Sequence, residues 1–224
     1  MAVSWRDYLA FAVETAWQAG QLTLGHFQTG LRPDLKADES PVTVADREAE
    51  QLIRQRIAAS YPRHTVAGEE YGESAGSEGG FRWLIDPIDG TRSYVRGVPL
   101  YAVLLALEVD GEVEVRVPHF PALGEMVAAA TGEGCWWNGR PARVSAVSDW
   151  REAVVVFTDA AAFAPYGRAA AWDRFQACGA TLRGWSDAYG HMLVATGRAE
   201  VMLDPIMNAW DCGPFAVILR EAGG

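Results

Sequence analysis

The sequence has 224 residues, of which half are hydrophobic and 21% are charged, a composition typical of a globular protein with its own core. Its formal net charge of −10 argues against nucleic acid as a partner, because a phosphate backbone requires a basic surface. No apolar run reaches the ~20 residues of a membrane span. The three cysteines, Cys135, Cys178 and Cys212, form no CxxC pair, so we expect reduced thiols and a cytoplasmic location.

The first residues of the chain predict two helices separated by a loop. Apolar residues recur at helical spacing from Trp5 to Ala16, whereas residues 20–40 are polar and irregular and predict a mobile loop. Thr43 then has the side chain of a helix cap, which places Asp46 in the first turn of a second helix. The helix dipole favours an anion at that position.

A series of strands follows the second helix. The dipeptides Asp110-Gly111 and Asn138-Gly139 are strong turn signals and predict antiparallel neighbours. The predicted strands cover residues 65–67, 82–85, 101–108, 112–117 and 126–130, with a further strand near residue 136.

The pattern changes at about residue 150. A strand at 153–157, an alanine-rich helix ending at Ala177 and a strand from Thr181 predict a β-α-β unit. A helix at 186–196, a strand at 200–203 and a last helix from Asp211 complete the predicted elements. We therefore expect an N-terminal α+β lobe with an antiparallel sheet over residues 1–150 and a C-terminal α/β lobe over residues 151–224. Because the final Gly-Gly is a turn signal, we also expect strands beyond it, so that the second lobe is truncated.

The stretch WLIDPIDGT, residues 83–91, carries the clearest chemical signal. Pro87 restricts Asp86 to an extended conformation, which holds Asp86 and Asp89 together at the end of a strand. Two carboxylates ~4 Å apart repel by about 4 kcal/mol at an effective dielectric constant of 20, so cations or a shared proton must offset them. Gly90 and Thr91 offer backbone N–H groups to an anion, and metal ions could bridge such a carboxylate pair to phosphate. An acidic turn that merely caps a helix is the alternative.

Other acidic residues also fall at the ends of predicted elements. Glu69 follows a strand, Asp46 begins a helix and Asp211 opens the last helix. Each alone is more typical of a cap or a solvated face, but together they indicate a pocket. Because all of these ligands are oxygens, the pattern favours Mg²⁺, with Mn²⁺ as a second choice, over zinc.

The run GEE…DPIDGT…WD, followed by EAGG, resembles the inositol monophosphatase family of magnesium-dependent, lithium-sensitive phosphatases over nearly the whole chain. The resemblance implies an αβαβα arrangement of layers with two sheets. It also implies a hydrolysis reaction that releases phosphate. It implies metal ligands at five positions: Glu69, Asp86, Asp89, Asp211 and the carbonyl of Ile88.

The resemblance also implies roles in handling water and phosphate. Glu69 and Thr91 would orient the attacking water, and Asp46 would pair with Thr91 and join the water network. The amides of Gly90 and Thr91 would bind the phosphate.

Within that family, DGTRSYVRGVPLY, FPALGEMVAAATGEG and residues 184–189 most resemble the bacterial histidinol-phosphatase branch. An acid at Asp187 could pair with the ammonium group of histidinol, although a helix N-terminal charge is the alternative. Asp204 falls where the family places a substrate-contacting acid. The resemblance thus implies a magnesium-dependent phosphomonoesterase acting on a small metabolite, L-histidinol phosphate in histidine biosynthesis, and allows a homodimer. Inositol monophosphate as substrate, and a non-catalytic homologue that binds metal or phosphate, are the alternatives.

Overall fold

A computed structural model describes most of the chain, namely residues 4–37, 39–185, 187–208, 210 and 215–224. The α-helices in these ranges are α1 (Trp5–His26), α2 (Val44–Ser60), α3 (Thr91–Val95), α4 (Ala169–Ala177), α5 (Asp187–Ala195) and α6 (Phe215–Glu221). The strands are β1 (Asp34–Leu35), β2 (Pro41–Val42), β3 (Thr65–Gly68), β4 (Gly72–Ser74), β5 (Phe81–Asp89), β6 (Ala102–Val109), β7 (Glu112–Phe120), β8 (Glu125–Ala130), β9 (Gly134–Trp137), β10 (Arg140–Pro141), β11 (Val154–Phe157), β12 (Thr181–Arg183) and β13 (Val201–Leu203).

A large sheet has the strand order β10-β9-β8-β7-β6-β5-β3-β4. Adjacent strands of this sheet run antiparallel, except β3 and β5, which run parallel to each other. Asp110 and Gly111 both have positive φ, 52° and 88°, and so do Asn138 and Gly139. Two consecutive residues of this kind make the tight turn that matches strand twist, so the predicted hairpins are confirmed.

The helices and a second sheet stack on the large sheet in layers. Helices α1 and α2 cover one face, where Ile53, Trp83 and Leu105 belong to one buried cluster. Helices α5 and α6 cover the other face, where Leu104, Met192 and Phe215 share a second cluster.

The second sheet has the order β12-β11-β13, and its three strands are parallel. Leu193 of α5 packs against Val156 of β11, so α5 lies between the two sheets. On the outer side, Trp172 of α4 contacts Phe157 with ring centroids 4.8 Å apart. The order of layers is therefore αβαβα, as the family resemblance implies.

Three predictions about local structure were wrong. Helix α1 continues to His26 through the region predicted as a loop. Gly20 is buried there, and a Cβ at this position would overlap the ring of His119, so the glycine allows close packing of helix on sheet. Asp34–Leu35 and Pro41–Val42 pair as the antiparallel strands β1 and β2, within the region that was predicted as an irregular loop. The alanine-rich region is α-helical only over Ala169–Ala177, because Gly167 and the preceding turns interrupt it.

None of the helices in the described ranges is long and apolar enough to cross a membrane.

Candidate active site

A β-bulge in β5 places Asp86 and Asp89 on the same face of the sheet. Asp86 pairs with Leu104 and Asp89 pairs with Ala102, so three steps along β5 match two steps along β6. In a regular strand, residues three apart point to opposite faces. With the extra residue taken up by the bulge, both carboxylates share the face of Leu104 and Ala102, against which α5 and α6 pack. Strand β5 thus extends through both aspartates, beyond the predicted end at Ile85.

The turn after the bulge is fixed by hydrogen bonds around Ile88. The Ile88 N–H donates to Oδ1 of Asp86 at 3.1 Å, and the hydroxyl of Thr91 donates to the Ile88 carbonyl at 2.9 Å. Gly90 then adopts a φ of 78°. A Cβ at this glycine would lie 2.9 Å from the carbonyl of Leu100 and 3.0 Å from Oδ2 of Asp187, so a side chain would crowd this turn.

Glu69 begins the turn between β3 and β4, next to the end of β5. Its N–H donates to the carbonyl of Ile85 at 3.2 Å, which continues the parallel pairing of β3 with β5. Its carboxylate accepts from the ammonium of Lys36 at 2.6 Å, and Glu70 accepts from the same ammonium at 2.6 Å.

Lys36 comes from the β1–β2 hairpin and was missed as a site residue from the sequence. Burial lowers its pKa, but the hydrogen bonds and charges of Glu69 and Glu70 outweigh burial and raise the pKa above the ordinary value. One signal was available in the sequence, because Lys36 is its only lysine and the other long cationic side chains are all arginines.

Asp46 is almost fully buried at the start of α2. Oδ2 of Asp46 accepts from the Thr43 N–H at 2.8 Å and from the Thr43 hydroxyl at 2.6 Å, which forms a capping box at the predicted helix start. Burial raises the pKa of Asp46, while the hydrogen bonds from Thr43 act in the opposite direction. The implied pairing of Asp46 with Thr91 is not formed in this structure, because the Thr91 hydroxyl donates to Ile88 instead. A role of Asp46 in a water network stays a prediction.

On the opposite side, the start of α5 meets the ends of β11 and β13. The Ala188 N–H in the first turn of α5 donates to Oδ2 of Asp89 at 2.8 Å. The Asp187 N–H donates to the Thr158 hydroxyl at 3.3 Å, and that hydroxyl donates to Oδ2 of Asp204 at 3.0 Å. Thr158 therefore links the two acids predicted to contact substrate. Sequence reasoning missed Thr158, although it directly follows a strand of a parallel sheet, where ligands commonly bind.

Two adjoining cavities, which we call the cleft, are lined by most of these residues, but by neither Lys36 nor Asp46. One, of about 340 Å³, is lined by Glu69, Asp86, Ile88, Gly90 and Thr91, and we call it the acidic half. The other, of about 460 Å³, is lined by Thr158, Asp159, Ala162, Asp204 and Pro205, and we call it the outer half. The two halves share part of their lining, namely Asp89, Arg92, Asp187 and Ile206. Arg92 is exposed and was not predicted as a site residue from the sequence.

The acidic half has the donor chemistry of a Mg²⁺ or Mn²⁺ site. Glu69, Asp86 and Asp89 supply carboxylates, and Ile88 supplies a carbonyl, on one cavity wall. In the part of the chain that the structure describes, no three acidic, histidine or cysteine side chains are already arranged around a common metal position. The predicted ligand Asp211 lies outside the described residues. The ligand types fit a hard divalent cation, and the ammonium of Lys36 already shows that Glu69 attracts positive charge.

The comparisons with known proteins assign this layered fold and its cleft to a phosphoric monoester hydrolase. A model of the inositol monophosphatase family matches residues 4–224, and the chain belongs to this family. A histidinol-phosphatase from Chlorobaculum parvum is 48% identical over 217 residues, covering 96% of this chain and 83% of the relative. The Nus factor SuhB of Escherichia coli is 32% identical, covering 96% of this chain and 83% of the relative. The crystal structure of the extragenic suppressor protein suhB from Bartonella henselae superimposes with a TM-score of 0.90 at 27% identity, covering 97% of this chain and 85% of that one.

Proposed function

We propose that this enzyme hydrolyses L-histidinol phosphate to L-histidinol and inorganic phosphate, a step of histidine biosynthesis. The observation that carries the proposal is the pair of acids Asp187 and Asp204 in the outer half of the cleft, linked through Thr158. A phosphate ester whose alcohol carries an ammonium group would place that cation beside these carboxylates. The 48% identity to a protein named histidinol-phosphatase supports the same substrate.

The acidic half would hold the metal. Glu69, Asp86, Asp89 and the Ile88 carbonyl would bind Mg²⁺, for which Mn²⁺ can substitute, together with Asp211. When bound, the metal would stabilise negative charge on the phosphoryl oxygens and lower the pKa of a coordinated water.

The remaining residues position water and phosphate. Because the Thr91 hydroxyl donates its hydrogen to Ile88, its oxygen is oriented to accept a hydrogen bond from a water molecule. Glu69 would accept a second hydrogen bond from that water and take up its proton as the oxygen attacks phosphorus in line. The N–H groups of Gly90 and Thr91 would hold the phosphate oxygens, and Asp46 would belong to the water network.

A substrate panel with Mg²⁺, monitored by phosphate release, tests the proposal. The panel contains L-histidinol phosphate, inositol 1-phosphate and β-glycerophosphate. We expect the highest kcat/KM for histidinol phosphate, because only this substrate carries a cation for the acids of the outer half. A preference for inositol 1-phosphate would reject the substrate assignment, and no phosphate release from any ester would favour a non-catalytic binding protein.

A further inference from the structure

Glu50 of α2 is a carboxylate with no exposed surface, placed directly behind the turn that carries Glu69. A buried charge is costly unless it is paired and hydrogen-bonded, so its partners indicate why it is there. Oε1 of Glu50 accepts from Nε of Arg54, one helical turn later, at 2.8 Å. Oε2 accepts from the Glu70 N–H at 2.8 Å, and Oε1 also accepts from the Tyr71 N–H at 3.3 Å.

Arg54 contacts strand β4, which follows the same turn. Its Nη1 donates to the hydroxyl of Ser74 at 2.9 Å, and its Nη2 donates to the carbonyl of Gly72. The ion pair of Glu50 and Arg54 therefore contacts the β3–β4 turn at residues 70 and 71 and strand β4 at residues 72 and 74.

Gly68, the residue before the turn, leaves room for the Glu50 side chain. A Cβ at Gly68 would overlap the Glu50 carboxylate. The carboxylate can therefore occupy its observed position only because residue 68 is a glycine. The first residue of the GEE motif thus permits a buried acid to approach the backbone next to Glu69.

We propose that Glu50, supported by Arg54, is a positioning residue for Glu69. The inference rests on the proposed function, in which Glu69 binds metal and orients water. Both peptide groups that flank the Cα of Glu69 are anchored, one by the bond from its own N–H to Ile85 and the other by the bond from the Glu70 N–H to Glu50. With both peptide planes fixed, the Glu69 side chain leaves the backbone in one direction, towards the acidic half of the cleft.

The variant Glu50→Gln tests this role, because it replaces one accepting oxygen with an NH₂ group that cannot accept from a backbone N–H. We expect Mg²⁺ affinity, measured by calorimetry at 25 °C, to fall by about 10-fold or more, as is typical for partners of metal ligands. We expect kcat to fall with it, while KM at saturating Mg²⁺ changes little. Glu48→Gln is the matched control, since Glu48 is on the same helix but faces solvent and His26.

Hydrogen exchange of the Glu70 and Tyr71 amides supplies a readout that does not depend on catalysis. We expect faster exchange at these amides in Glu50→Gln and no change in Glu48→Gln. If Glu50→Gln fails to fold, Gly68→Ala displaces the same carboxylate while retaining both charges of the ion pair, and the same loss of Mg²⁺ affinity is expected.

The outcomes separate this inference from the proposed function. Unchanged Mg²⁺ affinity and unchanged amide exchange in a folded Glu50→Gln protein would overturn the positioning role. A parent enzyme that binds Mg²⁺ but does not hydrolyse histidinol phosphate would reject the proposed substrate, and calorimetry would still decide the role of Glu50. If the parent binds no Mg²⁺, the metal assignment fails, and amide exchange at residues 70 and 71 alone decides whether Glu50 holds the turn.

Discussion

The ammonium nitrogen of Lys36 lies 2.6 Å from Oε1 of Glu69, the residue to which we assign both metal binding and water orientation. The same ammonium lies 2.6 Å from Oε1 of Glu70. A cation at this position offsets the repulsion among the carboxylates of the acidic half. If Glu69 binds a divalent cation as proposed, Lys36 would compete with that cation for Glu69.

This competition predicts that Mg²⁺ makes Lys36 more reactive. Once Glu69 binds the metal, the amine loses a partner, and we expect faster acetylation of the only lysine in the chain. Quantitative mass spectrometry of the peptide that contains Lys36 measures the rate, with the α-amino group of the chain as an internal control. Equal rates with and without saturating Mg²⁺ would show that the metal does not displace Lys36.

Asp89→Asn should lower turnover by orders of magnitude while the fold is retained. The variant removes a negative charge from the acidic half, and its side-chain oxygen can still accept from the Ala188 N–H. Without metal, the loss of carboxylate repulsion should leave stability unchanged or raised. Phosphate release and thermal unfolding are the measurements, and undiminished parent activity in excess EDTA would contradict the metal assignment.

Glu69→Gln should lower kcat while substrate binding is retained. The amide cannot accept the proton of the attacking water, but Asp86, Asp89 and the Ile88 carbonyl stay in place for the metal. Steady-state kinetics at saturating Mg²⁺ separates kcat from KM. A kcat within a factor of a few of the parent value would exclude Glu69 as the partner of the water.

Asp187→Asn should raise KM for histidinol phosphate by about tenfold or more, because breaking a desolvated ion pair costs ~2–5 kcal/mol. Asparagine is the appropriate substitution, since Asp187 has a φ of 48°, a conformation that asparagine tolerates better than alanine. Inositol 1-phosphate, which has no ammonium group, should be nearly unaffected. An equal loss for both substrates would instead assign Asp187 to the N-terminus of α5 as a structural charge.

Stability should fall between neutral pH and about pH 4, in part because of His191. Burial, followed by the charge of Arg116, lowers the pKa of this histidine from 6.5 to about 4. The unfolded chain then binds a proton near pH 6.5 that the folded chain excludes until about pH 4. The contribution of neutral His191 is therefore present above pH 6.5 and is lost as the pH falls, by about 3 kcal/mol at most.

His191→Phe separates this contribution from that of the other histidines. In the parent protein the ring centroids of His191 and Phe215 lie 4.6 Å apart. A phenylalanine at position 191 retains an aromatic ring against Phe215 but cannot be protonated. His64 and His119 also have pKa values lowered by burial and will act in the same direction in both proteins. Urea unfolding at pH 7 and pH 5 should show a smaller loss of stability in the variant, and an identical loss would exclude His191.

The sequence alone determined those features that depend on neighbouring residues. Asp110-Gly111 and Asn138-Gly139 specify tight turns because both residues tolerate positive φ. Thr43 and Asp46 specify a helix start because their side chains reach the first backbone N–H groups of the same turn. The motif residues also supported the family and its layered fold, through a resemblance that the structure and the comparisons confirm.

Only the tertiary structure decided how distant segments meet. The bulge that brings Asp86 and Asp89 to one face depends on pairing with β6, and the continuation of α1 through Gly20 depends on the approach of His119 from β7. The roles of Lys36, Thr158 and Glu50 arise from contacts with residues that other elements bring close, so the sequence around each of them does not reveal its partners. Local backbone preferences act within a few residues, whereas burial and ion pairing act through space. Neighbouring residues therefore specify turns and helix starts, while packing decides how far α1 extends and which side chains meet in the cleft.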